Sequence, residues 1–133
     1  MVGAVRSRGN GWTLVELTIV ISLIAILSAV AVVGYGNALT RSREAVLKED
    51  LFRMRDAIDQ YYADTGDYPA ALDTLVTAGY LRAIPVDPFT NSATSWVIEQ
   101  PEFNAADPFA AGVFDVRSGY EGAAIDGTQY NEW

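Results

Sequence analysis

The 133 residues carry a formal net charge of −8 and include neither cysteine nor histidine. Those absences remove disulfide staples, the commonest general base and the commonest zinc ligand. An acidic surface repels phosphate backbones, so no nucleic-acid partner is expected. No nucleophile elbow, phosphate-binding glycine loop or dinucleotide fingerprint occurs. The acidic residues are dispersed rather than set in a pocket pattern, and the chain reads as a non-enzyme, with a carboxylate-only site as the one catalytic option left.

Residues 1–11 form a short basic leader with Arg6 and Arg8, ending in Gly11. From Trp12 to Val33 only Glu16 is charged. About 20 mostly apolar residues suffice for a helix to cross a bilayer, and this run is too uniformly apolar to be one face of a soluble helix. Thr18, Ser22 and Ser28 are tolerated there because hydroxyls can bond back to the preceding turn. A carboxylate inside a spanning segment costs roughly 2.5–3.5 kcal/mol, which makes Glu16 a candidate functional residue; the alternative is a group near the surface that snorkels outward. Basic residues beside the span favour a cytoplasmic leader. An ordinary secretory signal would place its cleavage near Ala29-Val30-Ala31, but the apolar run is longer than such signals use and Glu16 would interrupt it.

Past Val33, Gly34 and Gly36 each lower helix propensity by roughly 1 kcal/mol relative to Ala and predict a bend or local melting. The pattern then turns amphipathic, with Leu47, Leu51, Met54, Ile58 and Tyr61 or Tyr62 at spacings of three and four. Glu44 with Lys48 and Glu49 with Arg53 are i,i+4 pairs in the favourable order. One helix from Trp12 to about Ala63, roughly 80 Å long at 1.5 Å per residue, is predicted, ended by Gly66. Tyr68-Pro69 sets an extended or turn segment, Leu72, Leu75 and Val76 a short helix ending at Gly79, and Pro85 with Pro88 a stiff loop over Ile84–Phe89. Ser95–Glu99 and Gly112–Ser118 read as strands, the second with Phe114 and Val116 on one face and Asp115 and Arg117 on the other. Gln100–Ala111 is a loop, and Ser118–Trp133 is expected to be irregular. A long helix followed by a small antiparallel sheet is an α+β arrangement.

The leader ending in Gly11, then Trp12-Thr13-Leu14-Val15-Glu16-Leu17 and the apolar run, resembles the class III signal of type IV pilins and of type II secretion pseudopilins. Trp12 departs from the family's usual phenylalanine but keeps a large aromatic. The head resembles the major pseudopilin of type II secretion through Asp64-Thr65-Gly66-Asp67-Tyr68-Pro69, Gly79-Tyr80-Leu81-Arg82, Ile84-Pro85-Val86-Asp87-Pro88-Phe89, Phe114-Asp115-Val116-Arg117-Ser118-Gly119 and the tail from Asp126 to Trp133. The resemblance covers nearly the whole chain. It implies a pilin-like α+β fold: a cleaved leader over 1–11, a transmembrane and filament-core helix over 12–35, and a periplasmic head over 36–133. Within the head, 36–65 is the amphipathic helix and 66–133 the small α+β region.

The resemblance further implies a structural subunit of a secretion pseudopilus, in a single-pass inner-membrane form with a cytoplasmic N-terminus before assembly. Its partners would be copies of itself, minor pseudopilins, a prepilin peptidase, an inner-membrane platform and the platform's ATPase. The peptidase would cut between Gly11 and Trp12 and methylate Trp12, and Glu16 would pair with the Trp12 amine of a neighbour. A type IV pilus subunit is the alternative within this class, and a tethered binding module that never assembles is the alternative outside it. In the family the loop before the terminal tryptophan binds calcium. Here the run of consecutive aspartates is missing, leaving Glu121 and Asp126 with Ser118 as a carbonyl donor. Two carboxylates supply too few of the six to eight oxygens without carbonyls and water, and the alternative is that they are simply solvated.

Overall fold

A computed structural model describes Gly3, residues 13–102 and residues 111–133. The rest of the leader, Trp12 and most of the Gln100–Ala111 loop lie outside these described residues. Helix α1 spans Leu14–Thr65, two residues inside the expected start and two beyond the expected end. Its first turn is built by Thr13: the Thr13 carbonyl accepts from the Leu17 N–H at 3.1 Å, and the Thr13 hydroxyl from the Glu16 N–H at 3.2 Å. Thr13 is therefore the N-cap and Glu16 the third helical residue, the spacing of a capping box. The expected local melting at Gly34 and Gly36 does not occur, since both are helical. Glycine retains the N–H that proline would remove, so the ladder of backbone hydrogen bonds can continue through both positions.

The chain divides into two compact units, residues 1–37 and 38–133. In the first, the helix is apolar all round and covers nothing: Ile21, Leu23, Ile24, Ile26 and Leu27 are each more than half exposed. It is long and apolar enough to cross a membrane. Thr18 and Ser22 donate their hydroxyls to the carbonyls of Leu14 and Thr18, at 2.8 and 2.7 Å, which satisfies both groups without water.

In the second unit α1 buries one stripe, Leu47, Leu51, Met54, Ala57 and Ile58. Tyr61 packs partly buried against that core, whereas Tyr62 is 44% exposed and stacks on Tyr68 with ring centres 4.4 Å apart. Gly66 follows the helix with φ +82°, a conformation that favours glycine. Helix α2, Leu72–Thr77, closes as predicted at Gly79: the Tyr80 N–H reaches the Leu75 carbonyl at 2.9 Å and the Gly79 N–H that of Val76 at 3.2 Å. Leu72 and Leu75 turn inward onto the core.

Strands β1, Val97–Glu99, and β2, Asp115–Arg117, pair antiparallel with Ile98 opposite Val116. Both are shorter than predicted. The expected alternation fails at Phe114, which is 49% exposed, whereas Val113 is buried with Val116. Gly112, at φ +116°, turns the chain against Tyr68 and Pro69, and the Val113 N–H bonds to the Pro69 carbonyl at 2.8 Å. The pleat therefore starts only at Asp115. The tail, expected to be irregular, contains an antiparallel bridge between Ala123 and Gln129 and a 3₁₀ turn over Tyr130–Glu132.

Candidate functional site

Two places hold the residues singled out in the sequence. At the start of α1, Glu16 lies in the first turn of an exposed apolar helix. An acid there complements the partial positive charge of the helix N-terminus, so Glu16 has a local role as well as any intermolecular one. Gly11 and Trp12, the expected cleavage pair, lie outside the described residues. Sequence reasoning missed Thr13 as the N-cap, although Thr13-Leu14-Val15-Glu16 spells the capping pattern in full.

The second place is the C-terminal loop, where Ser118, Glu121 and Asp126 reside. These residues are held within the protein's own network. Ser118 is fully buried and donates its hydroxyl to Asp87 at 2.5 Å; the other Asp87 oxygen accepts the Phe89 N–H at 2.8 Å. This buried pair joins the proline-bounded loop to the end of β2. Asp126 accepts both the Thr128 N–H (3.0 Å) and the Thr128 hydroxyl (2.6 Å), and these bonds, the hydroxyl first, lower its pKa below the usual carboxylate value. Glu121 is exposed. Among the described residues no group of three or more acidic side chains gathers to hold a metal.

Three α1 side chains grip this loop instead. The Glu44 carboxylate accepts the Ile125 N–H at 2.9 Å and the Tyr130 hydroxyl at 2.8 Å. Lys48 sits 4.2 Å over the Trp133 ring. Arg55 donates from Nε to Asp115 at 2.7 Å, and from a terminal nitrogen to the carbonyls of Val116 (3.0 Å) and Trp133 (2.8 Å). The predicted Glu49–Arg53 pair forms at 2.8 Å, but Glu44 and Lys48 take these other partners rather than each other. A shared helix face at 44, 48, 51 and 55 was the available signal, because it borders the buried stripe. Burial, followed by the Glu44 bond, pushes the Tyr130 hydroxyl up to about 12.

An exposed apolar helix capped at its first turn, with a small α+β head, defines the pilin-like class. No family model and no solved structure matches the chain. The type II secretion system core protein G of Pseudomonas aeruginosa is 26% identical over 148 residues, covering 96% of this chain and 97% of that protein. The protein of the same name from Klebsiella pneumoniae is 31% identical over 99 residues, 62% of this chain and 70% of its own. Fimbrial protein EcpC of Eikenella corrodens is 38% identical over 61 residues, 46% of this chain. The chain belongs to the type II secretion core protein G family, the major pseudopilins.

Proposed function

We propose that the chain is a structural, non-enzymatic subunit of a type II secretion pseudopilus. What carries the reading is coverage: a secretion relative matches the chain from end to end, whereas the fimbrial one spans less than half of it. The exposed apolar helix supports a single-pass inner-membrane form, with the head in the periplasm, that is stored before assembly. A prepilin peptidase cleaves between Gly11 and Trp12 and methylates Trp12. Minor pseudopilins, the inner-membrane platform and its ATPase then act on the mature subunit. Within the filament Glu16 pairs with the Trp12 amine of a neighbour, because an unpaired carboxylate in low dielectric is costly and a paired one less so.

Calcium belongs to the same proposal, with Ser118 contributing through its carbonyl, Glu121 and Asp126 through carboxylates, and other carbonyls and water completing the shell. Type IV pilus assembly is the second reading, favoured by the higher identity of the fimbrial relative over its shorter stretch.

The deciding measurement is the intact mass and N-terminal sequence of the protein from its host's membranes. A start at methylated Trp12 supports the pilin-type route. A start near Val32 would mean a secreted domain, and an uncut chain would mean a static anchor. Loss of protein export on deletion separates the secretion role from a pilus.

A further inference from the structure

Arg41 and Arg43 stand early in the second unit, on the part of α1 that follows the apolar run, and both are exposed. Lys48, Arg53, Arg55 and Arg117 all have partners inside the head, whereas neither Arg41 nor Arg43 forms an ion pair among the described residues. Glu44, the one acidic residue within four positions of either arginine, turns its carboxylate to the Ile125 N–H and the Tyr130 hydroxyl instead. The sequence sets this pair apart as well. From Gly34 to Arg43 there are two arginines and no acid, while Glu44 to Trp133 carries sixteen acidic and five basic side chains. An acidic head whose unopposed cations sit next to a membrane-length segment is polarised towards a negative surface.

We infer that Arg41 and Arg43 bind the phosphate groups of anionic lipids, in the leaflet on the head's side of the membrane. The inference rests on the single-pass form proposed above. Leu14 to Val33 is roughly 30 Å of helix at 1.5 Å per residue, the thickness of a bilayer's hydrocarbon core. Arg41 follows Val33 by eight residues and Arg43 by ten, which is no more than about 12 and 15 Å of helix. Side chains on a helix lean towards its N-terminus, and long cationic ones reach back along an apolar surface. That brings the Arg41 guanidinium into the headgroup layer, about 5–8 Å thick on each side, and the Arg43 guanidinium to its edge. The planar fork of an arginine suits a phosphate, since its N–H groups can reach two oxygens at once. Each arginine at such a surface is expected to enrich anionic lipid about fivefold.

The chain has no cysteine, so Ala38→Cys places a single fluorescent label near the arginines, at an exposed helical position. The labelled full chain is inserted into phosphatidylcholine vesicles containing a small fraction of lipid with a nitroxide on its headgroup, either phosphatidylglycerol or phosphatidylcholine. Quenching by the anionic nitroxide lipid is expected to exceed quenching by the neutral one about threefold or more, and the excess to fade in about 0.5 M salt. Arg41→Gln combined with Arg43→Gln should abolish the excess. Arg53→Gln, which removes an equally exposed cation further along α1, should keep it. Equal quenching by the two lipids, an excess that survives the double substitution, or one that Arg53→Gln alone removes would each overturn the inference and leave the pseudopilin reading standing. If alkaline carbonate strips the unaltered chain from the vesicles, the single-pass form and the inference fall together.

Discussion

The two halves of α1 use similar residues to opposite ends. Between Leu14 and Val33 the apolar side chains cover the whole circumference and bury nothing. Between Leu47 and Ile58 all of them but Phe52 keep to one stripe and are almost entirely withdrawn from water. Periodicity, more than hydrophobicity, decides which half is self-sufficient. A stripe can be covered by a sheet and a loop of its own chain, but an all-round surface needs lipid or other helices.

The sharpest break between the halves is expected at Glu16. Glu16→Gln keeps a side chain able to complete the N-terminal cap and removes the charge. If the carboxylate pairs with a neighbour's amine, filament yield from this variant should drop about tenfold or more while head melting stays the same. Normal filaments would leave Glu16 with its capping role alone.

Next in size is a matched pair of truncations. Leu51→Ala should cost the head about 2–5 kcal/mol in chemical denaturation, because it opens a cavity in a packed core. Ile24→Ala, in the exposed half, should leave head stability unchanged. Equal losses would contradict the division into two units.

Arg55→Met tests the grip on the C-terminal loop. It leaves the partly buried Asp115 without its partner and frees the Trp133 carbonyl, a loss of about 1–2 kcal/mol measurable by thermal melting.

A weaker effect follows from Tyr130. Its hydroxyl titrates at about 12 in the folded protein against 10.0 ordinarily, so the folded state holds the proton more tightly. The associated stability is complete below pH 10 and declines as pH rises from 10 towards 12. Tyr130→Phe should flatten that part of the stability profile. Calcium is the smallest expected effect, a rise of a few degrees in melting temperature over a chelator control. Unchanged melting would remove the ion from the proposal.

Much of this was legible in the sequence. The helices, the glycine stops at Gly66 and Gly79 and the antiparallel pairing all follow from local pattern and turn chemistry. Three things were not. Alternation along the residues puts Phe114 on the same face as Val116, and the turn at Gly112 that breaks the pleat leaves no periodic signal. Glu44 and Lys48 looked like a pair because helical spacing is local, whereas their partners Ile125, Tyr130 and Trp133 lie about eighty residues away along the chain. The tail looked irregular because short hairpins and 3₁₀ turns leave little periodic signal.

The placement of the tryptophans has a practical consequence. The chain has three, Trp12 before the apolar helix, Trp96 in the core and Trp133 on the C-terminal loop. Trp96 is 7% exposed and donates its indole N–H to the Pro85 carbonyl at 2.9 Å, while the Trp133 ring lies beneath an ammonium group. Their indoles sit in unlike surroundings and should emit at different wavelengths. Replacing two at a time with phenylalanine would make the fluorescence of the remaining one a separate optical readout of membrane entry, head folding or loop docking.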